Sequence, residues 1–488
     1  MITTSNILQT RIAVPLALAV AVCVGIMPAR AADGGIVFRA GAATSNITGY
    51  LGQVIVGGIM ELKSTHVHDE LQARCLALDN GETRLVFVVC DSCMIPRDVF
   101  DEAKLLVRET SDLPLENMVL SATHTHSAPA AAWCHLSGRP DPEYQKFIAR
   151  RIADGIRRAL HNLEPARIGW GVTQEPRHVF NRRWFVQPAV QTTHPLHGGK
   201  EPVRMNPPRG SKDLIRPAGP VDPEIGVISV VATNGRPLAV LANYGLHYVG
   251  GIPAGDVSSD YFGAFAENLK RRLCKSAQDP DFVAILSNGA SGDVNNNNFF
   301  QPPPPAKAPY EQIKMVANDV ASATEKVIRG LQYRDWVPLG VNQTELSLAV
   351  RKPTAEEAIR AREVVARSKG APIVGGRPPD WREQETVDLS GYPERVSLIL
   401  QAVRIGDLGI TAIPCEVFAE IGLELKAKSP FKPSFTMSLA NGYNGYLPTA
   451  QQHEWGGYET WRAKSSYLEV NAAAKITAKL LELAEQLR

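Results

Sequence analysis

Short apolar runs rich in β-branched residues alternate with helix-like segments along most of the chain, and this alternation restricts the fold more than any other feature. Extended stretches are expected at residues 71–78, 85–89, 118–122, 166–172, 226–232, 237–244, 282–287, 346–350, 397–405 and 408–413. Helices are expected at 143–163, 260–274, 310–331, 354–369, 416–428 and 466–487. In the first helix Phe147, Ile148, Ile152, Ile156 and Leu160 recur at three- and four-residue spacing, which lays one apolar stripe along it. There is no internal repeat and no shift of composition. The pattern therefore predicts an α/β fold, a single large mixed-sheet domain with flanking helices from residue 32 to residue 488. Two stretches break the rhythm. Residues 299–309 (FFQPPPPAKAP) carry four successive prolines and are expected as extended loop, and residues 194–223 read as a long surface loop.

The amino terminus has a different grammar. Arg11 precedes the apolar run 12–27 (IAVPLALAVAVCVGIM), and Ala29-Arg30-Ala31 follows, as in an export signal with a small-residue cleavage site. Residues 1–31 are accordingly expected to be a signal peptide cleaved near Ala31, with the mature protein periplasmic or secreted. The run contains Pro15 and is short for the ~30 Å of a bilayer core. No other run of ~18 apolar residues occurs, so no stable membrane span is expected after cleavage. The formal charge is +2 and no Lys/Arg cluster stands out, which gives no reason to expect a nucleic-acid partner. Cys90 and Cys93 form a C-x-x-C without a second pair at zinc-finger spacing, and are expected as buried thiols or a local bridge.

Chemistry-bearing residues cluster at the ends of apolar runs. Residues 118–122 (MVLSA) lead into Thr123-His124-Thr125-His126-Ser127; if extended backbone continues, both imidazoles project to one side and could bind metal or move protons. Two surface histidines in a polar loop are the plain alternative. His247 follows the run 237–244, and Glu416 in IPCE stands where a strand passes into a helix, a place where the helix dipole alone favours Glu. Residues 441–458 (NGYNGYLPTAQQHEWGGY) form a Gly/Asn/Tyr-rich loop able to bring phenols to a site. Gly289-Ala290-Ser291-Gly292 departs from G-x-S-x-G, so a serine triad is not expected.

Taken together and in this order, these segments resemble the catalytic N-terminal domain of the neutral/alkaline non-lysosomal ceramidases, whose T-H-T-H-S-[GA]-P signature stands here at residues 123–129. The resemblance implies a zinc ion held by His124, His247, Glu416 and Tyr446. It also implies that His126, Arg182 (in NRR) and Tyr458 orient the substrate and stabilise an oxyanion. The activity so implied is that of an exported zinc-dependent hydrolase cleaving an N-acyl amide bond by attack of zinc-activated water. A zinc esterase or lactonase using the same site is an alternative, and a catalytically silent binding protein of the same fold is another. The expected partner is a small or lipid-like molecule with an amide or ester bond. One position departs from the family. Where G-D-V-S-P-N is usual, this chain has Gly292-Asp293-Val294-Asn295, and an amide cannot replace a hydroxyl nucleophile; Asn295 is expected to hydrogen-bond the substrate instead. The family's C-terminal immunoglobulin-like domain is expected to be lacking. Both departures point away from ceramide itself.

Overall fold

The computed structural model describes Met1 and residues 37–58, 61–133, 139–274, 282–368 and 380–488; the expected export signal lies outside the described residues. Eight strands build the main sheet: β1 (Arg39–Asn46), β2 (Gln72–Asp79), β3 (Arg84–Cys90), β4 (Met118–Ala122), β5 (Glu164–Gln174), β6 (Glu224–Ala232), β7 (Pro237–Tyr244) and β8 (Val283–Asn288). Their order is β8-β7-β6-β5-β1-β2-β3-β4. Neighbours run antiparallel except in the two outer pairs, β3 with β4 and β7 with β8. A parallel pair needs a crossover. Helix α1 (Arg97–Arg108) supplies it for the first pair; α2 (Pro142–His161) follows β4; α3 (Asp260–Leu273) supplies it for the second pair, and α4 (Glu311–Ile328) follows β8.

Side-chain alternation assigns the two faces of this sheet. Ala73, Cys75, Ala77, Val86 and Val88 pack with α1 and α2, while Val227, Val240, Ala242 and Ala284 pack with α3 and α4. The intervening residues, among them Leu76, Phe87, Ile228 and Leu241, face a second sheet. That sheet consists of β9 (Leu339–Ala349), β10 (Arg395–Ile405), β11 (Leu408–Ala412) and β12 (Ser434–Met437) in sequence order. Its far face, with Leu398, Leu400 and Ala402, is covered by α5 (Ala419–Lys428) and α6 (Ala472–Glu485). The result is four layers: helices, large sheet, small sheet, helices. The large sheet also curls until its edges meet, for Asn288 at the end of β8 donates its side-chain amide to the carbonyl of Thr123, just past β4, at 3.1 Å.

All ten expected strands are present, and the mixed α/β class stands. Several boundaries differ for identifiable reasons. Glu416 is not helical: Glu416 and Val417 pair in parallel with Tyr446 and Leu447, and α5 begins only at Ala419. The last helix starts at Ala472 rather than 466. The stretch 194–223 is not one loop, because Lys200–Glu201, Val203–Met205 and Leu214–Pro217 pair into two small sheets with neighbouring strands. Strand β1 (RAGAATSN) is too poor in large apolar residues to read as a strand. Its small residues serve close packing, since a Cβ on Gly41 would stand 2.3 Å from the Ala159 carbonyl of α2.

Candidate active site

In open α/β sheets, ligands sit beyond the carboxyl ends of the strands. Here β4 ends just before His124, β7 three residues before His247, and β11 four residues before Glu416. The curl of the large sheet brings the first two ends together, and the small sheet packed against it brings the third. His124, His247 and Glu416 are 2%, 1% and 4% exposed, and their ligand atoms all lie within 4.8 Å of one another.

The segment around His124 is not the continuous extended strand that side-chain alternation suggested. His124 has φ 74°, a left-handed conformation that costs a non-glycine residue about 1–3 kcal/mol. Its backbone N–H donates to Ser92 O at 2.8 Å, and its ring Nδ1 lies 2.7 Å from Cys93 O. A carbonyl only accepts, so Nδ1 carries the proton and Nε2 is turned inward. His247 repeats the arrangement, with Nδ1 3.1 Å from Ser291 O. The two Nε2 atoms then face each other at 3.0 Å. Two lone pairs at that separation repel unless a proton or a metal cation lies between them, and, against the effect of burial, Cys93 and Glu416 hold His124 well above the ordinary imidazole value.

The carboxylate strengthens this requirement. Glu416 Oε2 is 3.3 Å from His124 Nε2 and 3.8 Å from His247 Nε2, yet it is buried without a hydrogen bond. Its other oxygen accepts from the Tyr443 hydroxyl at 3.0 Å. Burial works to raise the carboxyl pKa, but His124, Arg182 and Tyr443 outweigh it and hold the group below its ordinary value. Burial, with His124 and Arg182 adding to it, pushes His247 well below the ordinary imidazole value. An ionised carboxylate with an orphaned oxygen and two inward-facing imidazole nitrogens fit a divalent cation, and the N₂O donor set suits zinc.

The remaining expected residues surround this group. His126 Nε2 is 3.2 Å from His124 Nε2, but His126 does not join the set with His247 and Glu416 and groups instead with His124 and Cys93. Its ring stacks on Tyr248 at 3.7 Å. Tyr446 is in strand register with Glu416, its ring 6.1 Å from that of Tyr458. Arg182 lies over the Tyr446 ring at 5.4 Å and points Nη1 at His247 Nε2, 3.3 Å away; its Nη2 is buried without a partner. Asn295 pairs with Phe180, two residues along the chain from Arg182, and both ends of its amide are engaged: Nδ2 donates to Asn206 at 2.7 Å and Oδ1 accepts from Asn297 N–H at 2.9 Å.

Sequence reasoning missed three contributors. Tyr443 shares its NGYNGY stretch with Tyr446, so the repeat carried a usable signal. Glu459 carried none: it is fully buried and accepts from Arg182 Nε at 2.9 Å and Arg183 Nη1 at 2.6 Å. Gly57, with φ 121°, packs so closely on His126 that a Cβ there would stand 2.5 Å from the ring.

A layered α/β sandwich with a buried His/His/Glu group at its strand ends defines a class of candidate metallohydrolases. Residues 38–301 match the family "Neutral/alkaline non-lysosomal ceramidase, N-terminal", and the chain belongs to that family. It is 28% identical over 237 residues to the neutral ceramidase of Pseudomonas aeruginosa, covering 45% of this chain and 31% of that protein. It is also 28% identical over 220 residues to neutral ceramidase A of Dictyostelium discoideum, covering 42% and 26%. The matches thus span about a third or less of these relatives' own length. The crystal structure of the Pseudomonas aeruginosa neutral ceramidase superimposes with a TM-score of 0.71 at 19% identity, over 93% of this chain and 74% of that one. A structure described as ceramidase complexed with C2 gives 0.70 at 18% identity. Both share the fold.

Proposed function

We propose that this chain is an exported, zinc-dependent hydrolase of an N-acyl amide bond. The observation that carries the reading is the closure of His124, His247 and Glu416 to within 4.8 Å around an orphaned carboxylate oxygen. Tyr446, beside Glu416 in register, would complete the ligand set. Zinc held there supplies Lewis-acid polarisation of the amide carbonyl and a lowered pKa for the attacking water.

The chain's own residues do the rest. The free Nη2 of Arg182 donates to the oxygen on which negative charge develops, and the Tyr458 hydroxyl assists it. His126, half-buried and steadied by Tyr248, accepts the proton of the attacking water and returns one to the leaving nitrogen. Asn295 turns an amide end to the substrate by exchanging one of its present partners. Membership of the ceramidase family and the names of the relatives support the amide bond.

Metal analysis of protein purified without added metal tests the centre: about one zinc per chain is expected. His247→Ala should lose both the metal and hydrolysis; retained zinc in that variant would remove the assignment. Matched amide and ester substrates, with ceramide as one arm, test the reaction, and turnover of esters alone would replace amidase by esterase. Export predicts a mature amino terminus near Ala32, read by intact mass of the protein recovered outside the cytoplasm. Among the described residues, no helix is long and apolar enough to cross a membrane.

A further inference from the structure

Both histidine loops of the site are tied to one short stretch, the turn that opens α3. Ser258, two residues before the first residue of that helix, holds the loop of His126 from both sides. Its carbonyl accepts the Thr125 hydroxyl at 2.7 Å, and its N–H donates to Ser127 O at 2.8 Å. Asp260, where the helix begins, holds the loop of His247. Its Oδ1 accepts the Val249 N–H at 3.0 Å and its Oδ2 the Gly250 N–H at 2.9 Å. Tyr261 adds a further bond to that loop, its hydroxyl donating to Leu246 O at 2.9 Å.

Ordinary helix capping does not account for Asp260. The start of α3 is served by other groups: the Ser258 hydroxyl accepts the Asp260 N–H at 3.2 Å, and Asp69 accepts the Ser259 N–H at 2.7 Å. Of the three N–H groups on the Asp260 carboxylate, only that of Tyr261, at 2.6 Å, belongs to its own helix. The residue is also costly to keep. It is 2% exposed, burial pushes its carboxyl pKa up to about 6, and its φ of 55° is a left-handed conformation that strains a non-glycine residue. Asparagine accommodates the same backbone and buries no charge, but its amide would turn an NH2 toward one of the two loop N–H groups. The His247 loop therefore requires both accepting oxygens. Strain and a buried charge, kept together outside the His/His/Glu group, mark a residue that holds others in place.

We propose that Asp260 is the positioning residue that registers His247 against His126, by fixing both loops to one turn of backbone. The expected zinc ligand and the proton-carrying histidine keep their separation because residues 258–260 hold the loops of both. The inference rests on the zinc-hydrolase reading and adds the part that sets its geometry.

Asp260→Asn keeps the backbone conformation and loses one acceptor. It is compared, as zinc-loaded enzyme, with Phe87→Ala, a core variant outside the site. Zinc affinity by chelator competition, the visible absorption of the cobalt-substituted protein, and kcat and KM are read. Asp260→Asn is expected to weaken zinc at least ~10-fold, shift the cobalt bands and lower kcat about 10–100-fold, with KM changing less than about threefold. Phe87→Ala should lower the melting temperature and leave those readings native. Native zinc affinity, cobalt bands and kcat in Asp260→Asn overturn the proposal. Should that variant not fold, Thr125→Val decides: it removes the hydroxyl bonded to Ser258, and native kcat in it overturns the proposal. If the wild type hydrolyses neither amides nor esters, the hydrolase reading fails, while zinc affinity and the cobalt spectrum still decide the role of Asp260.

Discussion

Arg182, to which the proposed mechanism gives the developing oxyanion, is itself positioned by a buried acid outside the His/His/Glu group. Its guanidinium is aimed by Glu459, which holds Nε at 2.9 Å and ties Arg183 to the same carboxylate. Glu459→Gln should leave zinc bound while lowering kcat/KM by about 10–100-fold, because small misplacements of a positioning group cost rates of that order; metal content and steady-state kinetics on the same sample separate the two effects. Gly57→Ala should act comparably through His126, since the added Cβ would overlap its ring. Retained zinc with reduced turnover is the expected outcome, and full activity in that variant would remove His126 from the reaction. Of these residues, His124, His126, His247, Glu416, Arg182, Tyr446 and Tyr458 were expected through the resemblance to the ceramidase motifs, and the structure brings them near one another. Glu459 was not, because a single acid between aromatics in GYET has no pattern to betray it.

At the scale of elements, the core follows from two periodicities, and most of it could be read in advance. Strand β3 (RLVFVVC) alternates cleanly, sending Val86 and Val88 to the helices and Phe87 to the second sheet. Phe87 is fully buried between two sheets that have little room to collapse, so Phe87→Ala should cost about 3–5 kcal/mol in chemical denaturation. Periodicity failed where small residues or pairing partners decide the conformation. Strand β1 is alanine-rich to admit α2, and Glu416 is extended because Tyr446 pairs with it. Neither fact is local to the segment concerned.

For the molecule as a whole, the layers are fastened together by buried polar groups as well as by apolar area. Asp293, on the loop after β8, accepts the first N–H of α5, from Ala419, at 2.8 Å and the Asn181 amide at 2.7 Å. Burial outweighs these bonds and raises its pKa to about 6. A carboxyl whose folded pKa lies above its unfolded value stabilises the fold fully below about pH 4 and loses that contribution as pH rises through about 6. Asn does not titrate. The stability of Asp293→Asn relative to wild type should therefore improve by up to about 3 kcal/mol between pH 4 and pH 7. Denaturant titrations of both proteins across that range measure it, and a constant difference would show that Asp293 does not titrate there.

By itself, the sequence determined the α/β class and the places of the main strands, because these depend on spacing along the chain, and its resemblance to the ceramidase motifs supplied the expected set of His, Glu, Arg and Tyr residues. Tertiary structure alone decided how the set closes. His124 and His247 lie on loops after strands at nearly opposite edges of the main sheet, and only its curl brings their Nε2 atoms to 3.0 Å. The same holds for the kink at His124, the grip of Glu459 on Arg182 and the hold of Asp260 on the loop after β7. Each is set by contacts between residues far apart in sequence, where no local propensity reaches.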